Sequence, residues 1–201
     1  MFRQFAATTA LIAGLTFAAA TAQAAPVKYE FDKAHTQITF SVNHLGFSFS
    51  QGRFTDFDGH FMFDQETPAN SSVEVAIEAD SVYMGTDAWD EHVENADFLD
   101  AEKFEKITFK STKIDVTGAD TANITGDLTI KDVTKPVVLA TKLNKVGAHP
   151  MSGKQHAGFS ATTTIKRSEF GVNYGLPNVG DDLMIRIEVE GSAAAADAKT
   201  E

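Results

Sequence analysis

From Gln37 onward the chain repeats with a period of two, and that rhythm limits what it can fold into. Gln37–Asn43 (QITFSVN) sets Ile38, Phe40 and Val42 against Gln37, Thr39, Ser41 and Asn43. Ser72–Glu78 sets Val73, Val75 and Ile77 against Glu74 and Glu78. The same alternation runs through Lys106–Lys110, Asp127–Lys131, the Val137/Leu139/Thr141/Leu143 series and the Leu183/Ile185/Ile187/Val189 series. Residues 158–166 form a weaker, Thr-rich strand, and residues 47–63 carry six Phe in two runs broken at Asp58-Gly59, a hairpin-turn signal. Strands with one apolar and one polar face belong to antiparallel sheets, whereas buried parallel strands are apolar on both faces.

About eight strands or slightly more are expected, joined by short links at Thr117-Gly118, Asp120, Gly126 and Asn144–Gly153. Gly46, Gly52, Gly59 and Gly126 read as strand bends and turns. One segment departs from the rhythm. Thr86–Phe104 reads as a helix, with Thr86 as N-cap, acid in the first turns, and Trp89, Val93 and Ala96 in one apolar stripe. The strand edges must be hidden, by closing a barrel or by shielding them in a sandwich or jelly roll. A membrane-spanning barrel fits poorly: its strands run ~9–11 residues between girdles of Tyr and Trp. This chain has three Tyr and one Trp.

The first 24 residues follow another logic. Arg3 precedes an uncharged apolar run, and Ala22-Gln23-Ala24 is a small-x-small cleavage site. This is the pattern of a secretory signal peptide, and the apolar run is shorter than the ~20 residues of a spanning helix. Cleavage would leave 16 Lys+Arg against 28 Asp+Glu, a net charge of −12. Such a surface argues against nucleic acid as a partner. The absence of Cys excludes disulfides, thiolate metal sites and Cys nucleophiles. An exported, acidic, Cys-free chain points to a bacterial periplasm. The expected organisation is a signal peptide over 1–24, one domain over 25–191 and a disordered tail over 192–201.

Catalytic motifs are scarce. The six His form no HxH or HExxH pair, so no metal is expected. There is no nucleophile elbow, phosphate loop or dinucleotide glycine pattern, so neither cofactor nor catalytic residue is expected. Asp90-Glu91-His92 reads as a solvated helix start before it reads as an acid–base cluster. Asp56 and Asp58 read as a hairpin corner before they read as paired carboxylates. The surplus is Phe, 16 in all, which suits an apolar interior because it needs no hydrogen-bond partner. An eight-stranded barrel lined this way either packs solid or holds one ligand.

Ordered motifs add a resemblance to the YceI-like family of exported bacterial lipid-binding proteins. They are Tyr29–Thr36 (YEFDKAHT), Val42–Gly46 (VNHLG), Gly52–Gly59 (GRFTDFDG), Asp90–Val93 with Ala96–Asp100 (DEHV, ADFLD), Ile107–Thr112 (ITFKST), Gly126–Val137 (GDLTIKDVTKPV) and Arg167–Gly171 (RSEFG). Val93-Glu94-Asn95 and Glu105 depart from the family pattern, which often has Leu-Arg-Ser and a Pro there. The resemblance implies a lipocalin-like antiparallel β-barrel of about eight strands with one helical insertion. It also implies a function: sequestering a long-chain polyisoprenoid or similar amphiphilic lipid in the lumen, without catalysis. Two other readings stay open. One is a hydrolase-type or other enzyme using His35, His44, His92 and acids at the barrel mouth. The other is a structural or stress-related module with a filled core.

Alternation assigns Phe40, Val42, Val75, Ile77, Phe109, Leu128, Ile130, Leu139, Ile185 and Ile187 to the inner, ligand-facing wall. His44, Asp90, His92 and Arg167, in turns or helix within the family-like motifs, are the candidates for a polar mouth. Arg167 is expected to pair with an anionic head group. Transient membrane contact is expected; the oligomeric state, a homodimer included, is left open.

Overall fold

The structure is a computed structural model describing residues 25–194. The expected signal peptide and most of the expected tail lie outside the described residues. Eleven strands follow in chain order: β1 (Val27–Phe31), β2 (Gln37–His44), β3 (Ser48–Phe54), β4 (Phe57–Phe63), β5 (Ser72–Glu78), β6 (Val82–Tyr83), β7 (Lys106–Val116), β8 (Thr121–Ile130), β9 (Val133–Ala148), β10 (Gln155–Lys166) and β11 (Val179–Ala193). One α-helix, α1 (Asp87–Glu94), sits between β6 and β7. Ser192 and Ala193, expected in the tail, are the last residues of β11.

Eight strands close a ring in the order β1-β4-β5-β7-β8-β9-β10-β11, and the β1–β11 pairing seals it. Every pairing is antiparallel. The remaining strands, β2, β3 and β6, continue β1, β4 and β5 past three breaks, at residues 32–36, 55–56 and 79–81. They pair in the order β11-β2-β3-β6. The breaks lie at one level and hold one another. Thr55 N–H donates to Ser81 O, Glu78 N–H to Asp56 O, and Ser81 Oγ to both Glu78 O and Asp56 O. Asp32 N–H and Thr36 Oγ1 both donate to Glu190 O of β11. Beyond this level β6 has no second strand partner among the described residues, and α1 with residues 95–105 fills the gap toward β7 and β8. Lys131 Nζ, at the β8–β9 turn, donates to Phe98 O there.

The alternation is realised as an apolar interior and a charged exterior. Ile77, Ile107, Phe109, Leu128, Ile130, Val137, Leu139, Ala161 and Ile165 form one buried cluster inside the ring. Ion pairs Glu74–Lys110, Glu78–Lys106 and Lys166–Asp182 cross the outer face of neighbouring strands. This is the reverse of a membrane-spanning barrel, whose outer face is apolar. Among the described residues no helix is long and apolar enough to cross a membrane.

Three sequence expectations are corrected. The helix stops at Glu94 rather than Phe104. Asn95 Oδ1 accepts the N–H of Asp97, a local bond that competes with helical continuation, and Asp100 adopts φ 53°. Thr86 stands at the N-cap without a side-chain cap bond. Asp58-Gly59 is no hairpin turn but lies inside β4, and the break comes before it at Thr55-Asp56. A Cβ at Gly59 would strike Glu74 O and the Phe31 ring, so glycine there serves close packing. Gly126 and Asn144 are likewise inside β8 and β9, and that second turn falls at 149–154.

Candidate functional site

The barrel encloses a cavity of about 670 Å³ running between its two ends. Its wall comes from register-matched inward residues: Val75 opposite Phe109, Phe109 opposite Leu128, Ile124 opposite Leu139, and Phe40 opposite Ile185. All ten wall residues expected from alternation line it. The Phe surplus has a second use. Phe31, Phe40, Phe61 and Phe109 each lie over a strand glycine (Gly59, Gly52, Gly191 and Gly126), where a Cβ would collide with the ring.

Solvent-exposed residues line the cavity at both ends. At one end these are Val116, Gly118, Ala119 and Asp120, around the β7–β8 turn. At the other they are Trp89 and His92 of α1, with Tyr174 and His44. There the His92 ring stands edge-on to Phe98 and Tyr174 at 5.1 and 5.6 Å, and Phe98 meets Tyr174 at 5.2 Å. Trp89 and Val93, from the stripe expected on the helix, face the cavity, while Ala96 is exposed beyond the helix end.

Two expected mouth residues have other partners. Asp90 does not line the cavity; its carboxylate accepts the main-chain N–H of Met84 and ties α1 to the end of β6. Arg167 reaches the cavity but is only 5% exposed. Its guanidinium donates to four main-chain carbonyls: Nε to Gly180, Nη1 to Val172 and Tyr174, and Nη2 to Val179, all at 2.8–2.9 Å. Four of its five N–H donors hold the 172–180 loop, which leaves little for the anion expected from the sequence. Burial lowers its pKa from the ordinary value, and Asp181 opposes that. The 3-10 turn Arg167–Phe170, with Arg167 and Phe170 buried, closes this end of the wall.

Residues missed from the sequence have recognisable causes. Ile114 and Val116 line the cavity, but a bulge between Ser111 and Lys113 shifts the inward parity after Phe109. The Gly158/Phe159 irregularity in the β9–β10 pairing does the same between Leu143 and Val146. Phe98 and Tyr174 sit in irregular backbone, where no periodicity marks them.

The titratable groups do not converge on the lumen. Glu94 is pushed up by burial and then by Asp80, Asp90 and Glu91, in a separate acidic groove. Asp32, His35 and Glu190 bring ligand-type atoms within 4.8 Å of one another at the β1–β2 break. Asp32 is already engaged there: Oδ1 accepts the Ala34 N–H, and Oδ2 lies 2.8 Å from His35 Nδ1.

Comparison with known proteins agrees with this architecture. The model of the YceI-like domain matches residues 29–191. Protein YceI from an Escherichia coli O6:H1 strain is 41% identical over 179 residues, covering 89% of this chain and 93% of its own. BcnA of Burkholderia cenocepacia superposes with a TM-score of 0.73 at 26% identity, over 80% of this chain and 98% of its own. A polyisoprenoid-binding domain from Saccharophagus degradans gives 0.66 over 84% and 99%, and at 11% identity it shares the fold alone. With the family model covering most of its length and a relative of that similarity, the chain belongs to the YceI-like family.

Proposed function

We propose that this protein is an exported binding protein that sequesters a long-chain polyisoprenoid or similar amphiphilic lipid in its lumen, and that it performs no catalysis. The observation that carries this reading is the cavity of about 670 Å³ walled by aliphatic and aromatic side chains along the barrel. Water solvates such a wall poorly, so an apolar chain gains ~25 cal/mol per Å² of area buried there. The Saccharophagus relative, a polyisoprenoid-binding domain on the same fold, supports the ligand class. The lining offers few polar groups, and its His and acidic residues form no nucleophile–base pair. Export is supported by Arg3, the uncharged run after it and Ala22-Gln23-Ala24. Arg167, engaged by four carbonyls, acts as a structural residue, and His44 and His92 remain to meet a head group.

Native mass spectrometry of the protein purified from the cell envelope tests the reading. The expected result is a mature chain starting near Ala25 with a long-chain lipid bound in part of the population. A protein that stays ligand-free after incubation with a range of long-chain lipids would refute it.

A further inference from the structure

The β2–β3 hairpin ends in an apolar tip that the fold leaves uncovered. Phe47 is 90% exposed, Phe49 57% and Leu45 50%. The turn itself is braced by hydrogen bonds. Leu45 and Gly46 both adopt left-handed backbone, at φ 57° and 77°. Gly46 N–H donates to Asn43 Oδ1, and Leu45 N–H donates to Asn178 O of the neighbouring loop. Three apolar side chains on a braced turn are therefore held outward in water, which solubility alone would select against.

Two further observations indicate what covers them. The tip adjoins the helix-side mouth, since His44 and Ser50 flank it and line the cavity, and Trp89 and Tyr174 are exposed at that mouth. Aromatic residues with one polar atom suit the boundary between water and lipid. The charge pattern is also particular. In a chain with 28 acidic residues, positions 33–55 contain none, and they carry Lys33 and Arg53. Both cations lie near the break level, where Lys33 pairs with Asp56, so the tip itself is uncharged. The acids of this mouth, Asp87, Asp90, Glu91 and Glu94, are on α1, and docking rests on the apolar side chains of the tip.

We infer that Leu45 and Phe47, with Phe49, insert into the surface of a phospholipid bilayer and dock the helix-side mouth against it, so that a lipid chain passes between membrane and lumen without crossing water. The purpose assigned to this docking rests on the lipid-binding reading above; its geometry does not.

The test uses the mature protein and the Leu45→Ser/Phe47→Ser double variant. Neither residue lines the cavity. Met151→Ser is the control, because Met151 is 92% exposed on the β9–β10 hairpin at the opposite end. Flotation with vesicles of phosphatidylcholine, with and without phosphatidylglycerol, reads docking. A fluorescent long-chain isoprenoid probe, supplied either from vesicles or from solvent, reads transfer and affinity separately. The double variant should lose vesicle association and transfer from vesicles at least tenfold more slowly, with its affinity for solvent-delivered probe and its melting temperature unchanged. Met151→Ser should match the unsubstituted protein throughout. Equal vesicle association by the double variant would overturn the inference. So would a fall in oligomeric mass on substitution, which would make the tip a contact between copies of this chain. Loss of vesicle association in a protein that binds no probe would keep the docking and remove the lipid-binding reading.

Discussion

The two ends of the barrel both gather aromatic rings and use them differently. At the end with the β9–β10 hairpin, Tyr29 stacks on Phe61 at 5.0 Å, and Phe159 meets Phe61 and Phe63 edge-on at 5.4 and 5.3 Å. Tyr29, Phe61 and Phe63 are buried with Ala157 in their own cluster. At the helix end, the His92–Phe98–Tyr174 trio is partly exposed and borders the cavity. The contacts are of one kind, so burial decides their role. Rings locked among β1, β4 and β10 stabilise the fold; rings held by loops and one short helix can yield to a ligand.

The sharpest way to break this contrast is truncation in each region. Phe61→Ala should destabilise by ~3–5 kcal/mol, as expected for a ring removed from close packing. Chemical denaturation reads this directly. Phe61 and Phe109 both line the lumen, but Phe61 also packs on the rings of Tyr29, Phe31 and Phe159, so Phe109→Ala should cost less than Phe61→Ala and should weaken binding of a long-chain probe more. Equal stability losses with binding intact in Phe109→Ala would mean that the wall is a filled core.

Arg167→Gln should come next, at about 2–3 kcal/mol, because carbonyls bonded to a buried cation lose their donor together and water replaces only part of the loss. Affinity for anionic and neutral ligands of equal length should then fall alike. Selective loss of the anionic ligand would restore the guanidinium as a head-group contact. Tyr174→Ala should change stability by less than ~1 kcal/mol, as usual for exposed positions. It should still raise the Kd for the probe; an unchanged Kd would detach the aromatic trio from the ligand path.

The smallest effect concerns the β1–β2 break. The hydrogen bond and charge of Asp32 raise the His35 pKa above its ordinary 6.5. His35 in turn holds Asp32 below 3.8. The His35 contribution is full below 6.5 and is lost as pH rises through the raised folded value. The Asp32 contribution is full above 3.8 and is lost as pH falls through the lowered one. His35→Gln should therefore reduce the melting temperature slightly near pH 5 and not at pH 9. A difference independent of pH would assign His35 a packing role only.

The strand-rich class, the barrel among the closed alternatives and the inner wall were legible because Phe40, Val75, Phe109 and Ile185 each sit in an unbroken alternation. Legibility failed where the backbone changes parity or leaves regular structure. The bulge at Ser111/Lys113 hid Ile114 and Val116. Gly59 and Gly126 imitated turns because a glycine under a phenylalanine ring and a glycine in a turn look the same in one dimension. Arg167 shows a related limit: sequence marks a cation but not the carbonyls that a loop folds back onto it. Tyr174 lacked any signal, since its place depends on the loop that Arg167 holds.

The break level at 32–36, 55–56 and 79–81 divides the barrel into two hoops of unequal compliance. Below it, eight strands are joined edge to edge all the way round, so the girth cannot grow without rupturing a ladder. Above it, one sector of the hoop is spanned by α1 and residues 95–105, joined there by side chains and single hydrogen bonds. Only that sector can slide outward at low cost. The barrel is therefore a fixed collar on one side and an adjustable one on the other, and a bulky group should be accommodated next to the helix while the collar near Phe61 admits only what is slender.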